Sequence, residues 1–190
     1  MKFYFDTEFI EDGRVILPLS IGIVSEDGSE YYAEFAETPL WHANEFVLKN
    51  VLPNLKSYSP VETNNHLISN DYTITNIPPG NRAKYTENIK HEILAFCGES
   101  PELWAYFADY DWVVMCQIFG RMVDLPRDHG WPMICLDIKQ EMIMADITKK
   151  DIPFDQSETH NALDDARWNA KAHAWLEDNF YRRVHDHSTK

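Results

Sequence analysis

Basic residues are scarce in this sequence. Lysines and arginines number 17 against 31 aspartates and glutamates among 190 residues, and the formal net charge at pH 7 is −14. A protein that binds long nucleic acids over a broad basic surface has the opposite balance. The composition therefore excludes that class of protein. It still permits a short strand end to bind where metal ions supply the positive charge locally.

Cysteines and long apolar runs are also scarce. The three cysteines (Cys97, Cys116 and Cys135) are odd in number and form no C-x-x-C pair, so we interpret them as reduced thiols in the core of a cytoplasmic protein. No apolar run approaches the ~18 residues that a membrane helix needs. Asp6 and Glu8 interrupt the N-terminal run, which excludes a signal peptide. The sequence therefore predicts a cytoplasmic protein with no membrane partner.

The apolar content is sufficient for one core. Hydrophobic residues make up 44% of the chain, which predicts a single domain over residues 1–180. Residues 56–82 are rich in Asn, Ser, Thr and Pro and lack periodicity, so they are expected to form a long loop or insertion. Residues 181–190 are expected to be a C-terminal tail, and the VHDH within it is read as solvated rather than as a metal site.

Apolar periodicity predicts an α/β fold, a mixed five-stranded sheet with helices packed on it. The predicted strands are residues 2–10, 17–24, 30–36, 102–108 and 133–138. Helices are predicted for about ten residues before Pro53, for residues 85–100, 109–122 and 137–147, and for a long C-terminal stretch from 159 to 180. The expected boundary residues are Thr86 as an N-cap, Gly98 as a stop, Asp109 as an N-cap, and Thr159 or a neighbour as the last N-cap.

The first strand contains two carboxylates where apolar residues are expected. Asp6 and Glu8 are two residues apart in KFYFDTEFI, so they share one face of the strand. One interpretation is an edge strand with both residues on a wet face. The other is a hard divalent cation, Mg²⁺ or Mn²⁺, bound between them. The stretch by itself leaves both interpretations open.

Further carboxylates lie where helices begin. Asp109 and Asp111 follow a buried strand, and Asp164 and Asp165 begin the last helix. Asp164 and Asp165 point ~100° apart on the helix, so only one of them can face a given partner. Ala162 and Ala166, four residues apart, mark the side that packs on the sheet, and Asp165 lies beside that side, so Asp165 is favoured as the inward residue.

His160 precedes the last helix. It lies five residues before Asp165, about 140° around a helix, so the two cannot share one helical face. The imidazole is therefore expected to hang from the start of the helix, placed to take a proton from a water molecule. The alternative is a capping or surface histidine.

In this order, the D-x-E strand, the mid-chain carboxylate and the H-x-A-x-x-D motif resemble the DEDDh group of 3′→5′ exonucleases, which have a ribonuclease H-like fold. The stretches FYFDTEFIEDGR, LSIGIVSEDGSEYYA, LWAYFADYDWVVMCQIFG and HNALDDAR are similar to the polyadenylate-specific ribonuclease AS family. Many DEDDh enzymes have an Asn upstream of the second-motif Asp, and AYFADYD has none. The YDWVVMCQ context favours Asp111 over Asp109.

The resemblance implies a site and a reaction. Asp6, Glu8, Asp111 and Asp165 would hold two Mg²⁺ or Mn²⁺ ions, and His160 would be the general base. The implied activity is release of nucleoside 5′-monophosphates from the 3′ end of single-stranded RNA, with a preference for 3′ adenosines, by a homodimer.

Aromatic residues beside these motifs are candidates for substrate contacts. Phe9, Tyr110 and Trp112 could stack on the terminal bases, as in single-strand binding proteins, or could pack in the core. RNA is favoured over DNA by the resemblance alone, because the contact that recognises a 2′-hydroxyl cannot be located in a sequence.

Two other functions remain open. A DNA exonuclease of the same fold would share every catalytic residue, and a non-catalytic nucleic-acid-binding module could derive from such an enzyme. An endonuclease of the ribonuclease H or transposase type would not require His160.

Overall fold

The computed structural model describes residues 1–57, 83–156 and 160–181. In these ranges the protein is an α/β structure with a six-stranded mixed sheet in the order β4-β3-β2-β1-β5-β6. The α/β class predicted from the sequence is confirmed. The predicted loop 56–82 and the tail fall mostly outside the described residues.

The first three strands form an antiparallel meander. They are β1 (Lys2–Glu11), β2 (Ile16–Ser25) and β3 (Glu30–Phe35). Both connections turn at a glycine with positive φ, 82° at Gly13 and 87° at Gly28, a conformation that costs glycine little. The register of β1 against β2 shifts between Glu8 and Phe9, which bends the strand pair.

The remaining strands are short and parallel to their neighbours. They are β4 (Ala83–Lys84) beside β3, β5 (Glu102–Ala105) beside β1, and β6 (Leu136–Asp137) beside β5. The prediction of five strands was wrong because two-residue β4 is too short to show alternation in sequence. The predicted strands 102–108 and 133–138 are shorter than expected.

Five α-helices lie in the described ranges. They are α1 (Thr86–Cys97), α2 (Ala108–Phe119), α3 (Asp124–His129), α4 (Ile138–Met144) and α5 (Ala162–Leu176), and a wider helical turn, Glu177–Tyr181, follows α5. None of the described helices is long and apolar enough to cross a membrane.

Some predicted helix boundaries were wrong by one or two residues. The N-cap of α1 is Tyr85 rather than Thr86, and that of α2 is Phe107 rather than Asp109. The end of α1 at Gly98 is confirmed. Thr159 is not described, and the N-cap of α5 is Asn161, whose side chain accepts hydrogen bonds from the amides of Leu163 and Asp164.

The segment predicted as a helix before Pro53 is helical but irregular. A tight turn at Leu40–His42 precedes a wide helical turn at Val47–Val51 and another tight turn at Leu52–Asn54. Asparagine side chains explain the irregularity, because Asn44 accepts from the amide of Val47 and Asn50 donates to the carbonyl of Phe46.

Apolar side chains pack on both faces of the sheet. On one face, Phe3 and Phe5 of β1 belong to a cluster with residues of α1 and α2. On the other face, Tyr4 belongs to a cluster with Trp168 and Ala172 of α5. Because side chains alternate along a strand, Asp6 and Glu8 share the face of Tyr4 and lie under the start of α5.

Candidate active site

Three carboxylates converge between β1 and α5. Asp6, Glu8 and Asp165 each offer an oxygen, and these oxygens lie within 4.8 Å of one another. Glu8 is 9% exposed and Asp165 6% exposed. The face that Asp6 and Glu8 share is therefore covered by α5 and is not the wet face considered as the alternative.

A glycine lets α5 come this close. Gly22 of β2 is the cross-strand partner of Asp6. A Cβ atom at Gly22 would lie 2.4 Å from the carbonyl oxygen of Ala162 and 2.4 Å from the backbone of Leu163. Only glycine fits at this position, and the first turn of α5, which carries Asp165, consequently rests directly on the sheet.

Asp111 joins the site from the opposite helix layer. It lies in the first turn of α2 and is 6% exposed, whereas Asp109 is exposed. Its Oδ1 accepts hydrogen bonds from the backbone amide of Thr7 at 2.8 Å and from the Thr7 hydroxyl at 2.6 Å. Of the two candidates, Asp111 is thus the one that the structure places beside Asp6.

The negative charges of the two carboxylates of β1 are poorly neutralised when no cation is bound. Burial, followed by the charges of Asp111, Asp165 and Glu8, raises the pKa of Asp6 well above its ordinary value. Burial and the charges of Asp165 and Asp111 raise the pKa of Glu8 to about 8. Both groups therefore bind protons more readily than ordinary carboxylates, and a bound cation would neutralise the same charge.

The two helix carboxylates have local donors that partly offset burial. Burial raises the pKa of Asp111 to about 7, and the hydrogen bonds from Thr7 oppose that rise. Burial also raises the pKa of Asp165, while a hydrogen bond from Gln156 and the charge of His160 oppose the rise. Gln156 Nε2 donates to Asp165 Oδ1 at 2.6 Å.

Side chains of α2 and α5 form hydrogen bonds with the part of β1 that β5 does not cover. β5 pairs with β1 only over Lys2–Tyr4, so the carbonyl of Phe5 and the amide of Thr7 have no strand partner on that side. The fully buried Asn169 of α5 donates to the Phe5 carbonyl at 2.9 Å, and Asp111 accepts from Thr7. Side chains from two helices thus complete the hydrogen bonding of β1 on both sides of Asp6.

His160 lies at the start of α5 in a left-handed conformation. Its φ is 44°, and Phe107, which precedes α2, has a φ of 58°. Such conformations cost non-glycine residues about 1–2 kcal/mol and occur at functional sites. His160 is half-buried, and its ring meets the edge of Phe46 with centroids 5.0 Å apart. The imidazole therefore projects from the chain before the helix, near Asp165.

The predicted substrate-contact residues occupy different environments. Phe9 is half-buried and packs edge-on against Tyr110, with centroids 5.6 Å apart. Tyr110 is half exposed, and Trp112 packs against the main core. Phe46 is 52% exposed and contacts His160. Two exposed rings thus lie against residues of the site region, Tyr110 on Phe9 and Phe46 on His160.

The residues present fit a hard divalent cation. All the donors are carboxylate oxygens, which Mg²⁺ and Mn²⁺ prefer to nitrogen or sulfur. Three of them are already within the spacing that one ion can bridge. The raised pKa values of Asp6 and Glu8 show that the site has an excess of negative charge that a cation would neutralise.

Several residues near the site could not be identified from the sequence. Thr7 follows Asp6 in the D-x-E motif but faces the other side of the strand, and nothing in the sequence pairs it with Asp111. The contacts of Gln156 and Asn169 depend on loop and helix placement. Phe46 was identifiable only as an aromatic residue of an apolar segment.

Comparison with known proteins identifies the family of the chain. Residues 1–177 match the 3′-5′ exoribonuclease Rv2179c-like domain family. The chain is 34% identical over 172 residues to the 3′-5′ exoribonuclease Rv2179c of Mycobacterium tuberculosis strain H37Rv, covering 88% of each chain. The same values hold for the 3′-5′ exoribonuclease MT2234.1 of strain CDC 1551. From the carboxylate-lined sheet to the last helix, the chain therefore belongs to the Rv2179c-like 3′-5′ exoribonuclease family.

Proposed function

We propose that the protein is a metal-dependent 3′→5′ exoribonuclease of the DEDDh type that removes nucleoside 5′-monophosphates from single-stranded RNA. The observation that carries this proposal is the convergence of Asp6, Glu8 and Asp165, with Asp111 beside them, in a chain whose relatives are named 3′-5′ exoribonucleases. A cluster of carboxylates that can hold two divalent ions suits hydrolysis of a phosphodiester.

The four carboxylates would hold two Mg²⁺ or Mn²⁺ ions. Asp6 and Glu8 would bind from the strand, Asp165 and Asp111 from the two helices. When bound, the ions supply Lewis acidity and positive charge at the phosphodiester. The rigid strand and the two helix starts fix the carboxylates before substrate arrives, which reduces the reorganisation that the reaction requires.

His160 would act as the general base. The attacking water must lose a proton, and imidazole is the side-chain group best suited to accept one at neutral pH. His160 precedes α5 in a left-handed backbone conformation, and it is close enough for its charge to act on Asp165. The imidazole would accept the proton from a water molecule held beside Asp165.

The strand order supports a ribonuclease H-like fold. A meander of three antiparallel strands is followed by parallel strands added on the side of β1, giving β3-β2-β1-β5-β6. The site lies at the carboxyl ends of β1 and β5, where α/β folds commonly bind ligands. Strand β4 extends this arrangement on the outer side of β3.

The substrate would be the 3′ end of a single strand of RNA. With a net charge of −14, most of the surface repels a polyanion, so binding would be confined to the few nucleotides at the metal site. Tyr110 and Phe46, both exposed in the site region, are placed to stack on bases. Phe9 would support Tyr110 from below.

Two further features rest on the resemblance to the ribonuclease AS family, a preference for 3′ adenosines and assembly as a homodimer, whereas a cytoplasmic location rests on the unpaired cysteines. The first is tested together with the activity. The second is tested by light scattering of the purified protein.

A gel time course with 5′-labelled oligonucleotides tests the activity. Single-stranded RNA and DNA of matched sequence, each with an A-tail or a C-tail, are incubated with Mg²⁺, Mn²⁺ or EDTA. The expected result is a ladder that shortens from the 3′ end of RNA, fastest on the A-tail and absent in EDTA. Degradation of DNA in preference to RNA would show that the substrate is DNA. Cleavage of neither would favour a binding module.

Neighbouring aspartates provide matched controls for the site. Asp165→Asn and Asp111→Asn should abolish the ladder, whereas Asp164→Asn and Asp109→Asn should retain it. The variant and its control remove the same charge at adjacent or nearly adjacent positions, so the two proteins are matched in net charge and solubility. Full activity of Asp165→Asn or Asp111→Asn would show that the site is elsewhere.

A further inference from the structure

Gln156 connects a carboxylate of the site to a lysine. Its Nε2 donates to Asp165 Oδ1 at 2.6 Å, and its Oε1 accepts from Lys149 Nζ at 2.6 Å. A carboxylate only accepts hydrogen bonds and an ammonium group only donates them. The two partners therefore determine which way the amide of Gln156 points.

Lys149 is itself held in place. Its ammonium group lies 5.4 Å from the centre of the Trp168 ring, within the range of a cation–π contact. It begins a tight helical turn, Lys149–Asp151, in which Asp151 Oδ2 accepts from the amide of Thr148 at 2.8 Å and from its hydroxyl at 2.7 Å. The lysine therefore lies in an ordered turn against α5.

The chain between Lys149 and Gln156 is anchored in the core. Ile152 is buried, and Phe154 packs against the same cluster as Tyr4 and Trp168. Gln156 thus reaches Asp165 from a segment with two apolar anchors. A contact made from such a segment restrains the side chain it binds more than one made from an unanchored loop.

We propose that Gln156, oriented by Lys149, is a positioning residue that fixes the Asp165 carboxylate for metal binding. The inference rests on the proposed function, because the carboxylate is positioned for a divalent ion. A donor on one oxygen of Asp165 limits rotation of the carboxylate and leaves the other oxygen for the metal centre. Hydrogen-bond partners of metal ligands act in this way, and their loss typically lowers metal affinity or activity about 10–100-fold.

Methionine substitutions test the connection with little change in shape. Gln156→Met keeps the length of the side chain and removes both hydrogen bonds. Lys149→Met keeps the stem against Trp168 and removes the charge, and because Lys149 is exposed the variant should fold. The controls are Gln117→Met on the exposed side of α2 and Lys150→Met in the same turn as Lys149, since both alter exposed side chains.

The first readout is Mn²⁺ binding by isothermal titration calorimetry of the metal-free protein. Gln156→Met should raise the Kd of Mn²⁺ by about 10-fold or more, and Lys149→Met by a smaller factor. The controls should match the wild type. Because Lys149 acts through the amide, the double variant should have the Kd of Gln156→Met alone rather than the product of the two effects.

The second readout is steady-state kinetics on RNA, where Gln156→Met should lower kcat with little change in KM. An unchanged Mn²⁺ Kd in Gln156→Met would overturn the proposal. Multiplicative effects in the double variant would also overturn it, because Lys149 would then act directly, for example on a phosphate of the substrate. A wild type that binds no Mn²⁺ would overturn the metal-dependent function itself, together with this inference.

Discussion

Thr7 and Asp111 are joined by two hydrogen bonds to a single oxygen. The backbone amide and the hydroxyl of Thr7 both donate to Oδ1 of Asp111, at 2.8 and 2.6 Å, although the residues are 104 positions apart in the chain. The contact satisfies an amide of β1 that faces away from β2 and holds the start of α2 beside Asp6. The same contact therefore satisfies a backbone amide of β1 and positions the carboxylate of Asp111.

Removing the Thr7 hydroxyl should affect activity more than folding. Thr7→Val keeps the shape of the side chain and the backbone donor to Asp111, so we expect a loss of about 1 kcal/mol of stability in urea denaturation. The less restrained carboxylate should lower kcat on RNA by several-fold or more. Thr7→Ser, which keeps the hydroxyl, should retain most of the activity. Wild-type kcat in Thr7→Val would contradict this role.

Without divalent ions, the protein should lose stability as the pH rises. The pKa values of Glu8 and Asp111 are raised to about 8 and about 7 in the folded protein, against about 4 for unfolded carboxylates. Between those values the folded state binds more protons than the unfolded state, so the free energy of unfolding falls with pH. This contribution is complete below about pH 4 and lost above about pH 8.

Differential scanning fluorimetry from pH 5.5 to 8.5, in EDTA or Mn²⁺, measures this effect. The Tm in EDTA should decrease across the range, and saturating Mn²⁺ should raise it, most strongly at the alkaline end, because the ions replace the protons. Glu8→Gln should flatten the decrease in EDTA. A Tm that rises with pH in EDTA, or that Mn²⁺ leaves unchanged, is incompatible with the proposed carboxylate site.

His160→Ala should separate catalysis from metal binding. Loss of the general base should lower kcat by about 10²-fold or more, while the Kd of Mn²⁺ stays near that of the wild type because His160 is not expected to be a metal ligand. His91→Ala is the control, since His91 lies exposed on α1 beside Glu87. If His160→Ala and His91→Ala hydrolyse RNA equally fast, His160 has no catalytic role.

Gly22→Ala should disturb the site from the neighbouring strand β2. The added Cβ would lie 2.4 Å from backbone atoms of Ala162 and Leu163, and backbone cannot rotate away as a side chain can. We expect a loss of about 1–3 kcal/mol of stability and weaker Mn²⁺ binding, because α5 must move with Asp165.

Gly28→Ala is the comparison for this substitution. Gly28 has a positive φ and no atoms within 4 Å of an added Cβ, so it should cost about 1–2 kcal/mol through backbone strain without altering Mn²⁺ binding. Both proteins are compared by calorimetry at a temperature where each is folded. Equal Mn²⁺ affinity in the two variants would show that the approach of α5 at Gly22 does not position the site.

The sequence by itself determined the features that depend on local periodicity. Alternation along β1 predicted that Asp6 and Glu8 share a face, and the 100° step of a helix distinguished Asp165 from Asp164. Strand and helix types followed from the same patterns, which is why the α/β class was predictable. Boundaries were less accurate, since a cap such as Asn161 or Phe107 depends on the path of the chain before the helix.

Only the tertiary structure decided between residues with equivalent local settings. Asp109 and Asp111 both lie in the first turn of α2, and the folded structure shows that Asp111 is buried against Thr7 whereas Asp109 is exposed. The pairing of Gln156 with Asp165 and the short strand β4 likewise depend on segments far apart in the chain. Periodicity reports the direction of a side chain relative to its own element, whereas the partner that it meets is set by how the elements pack.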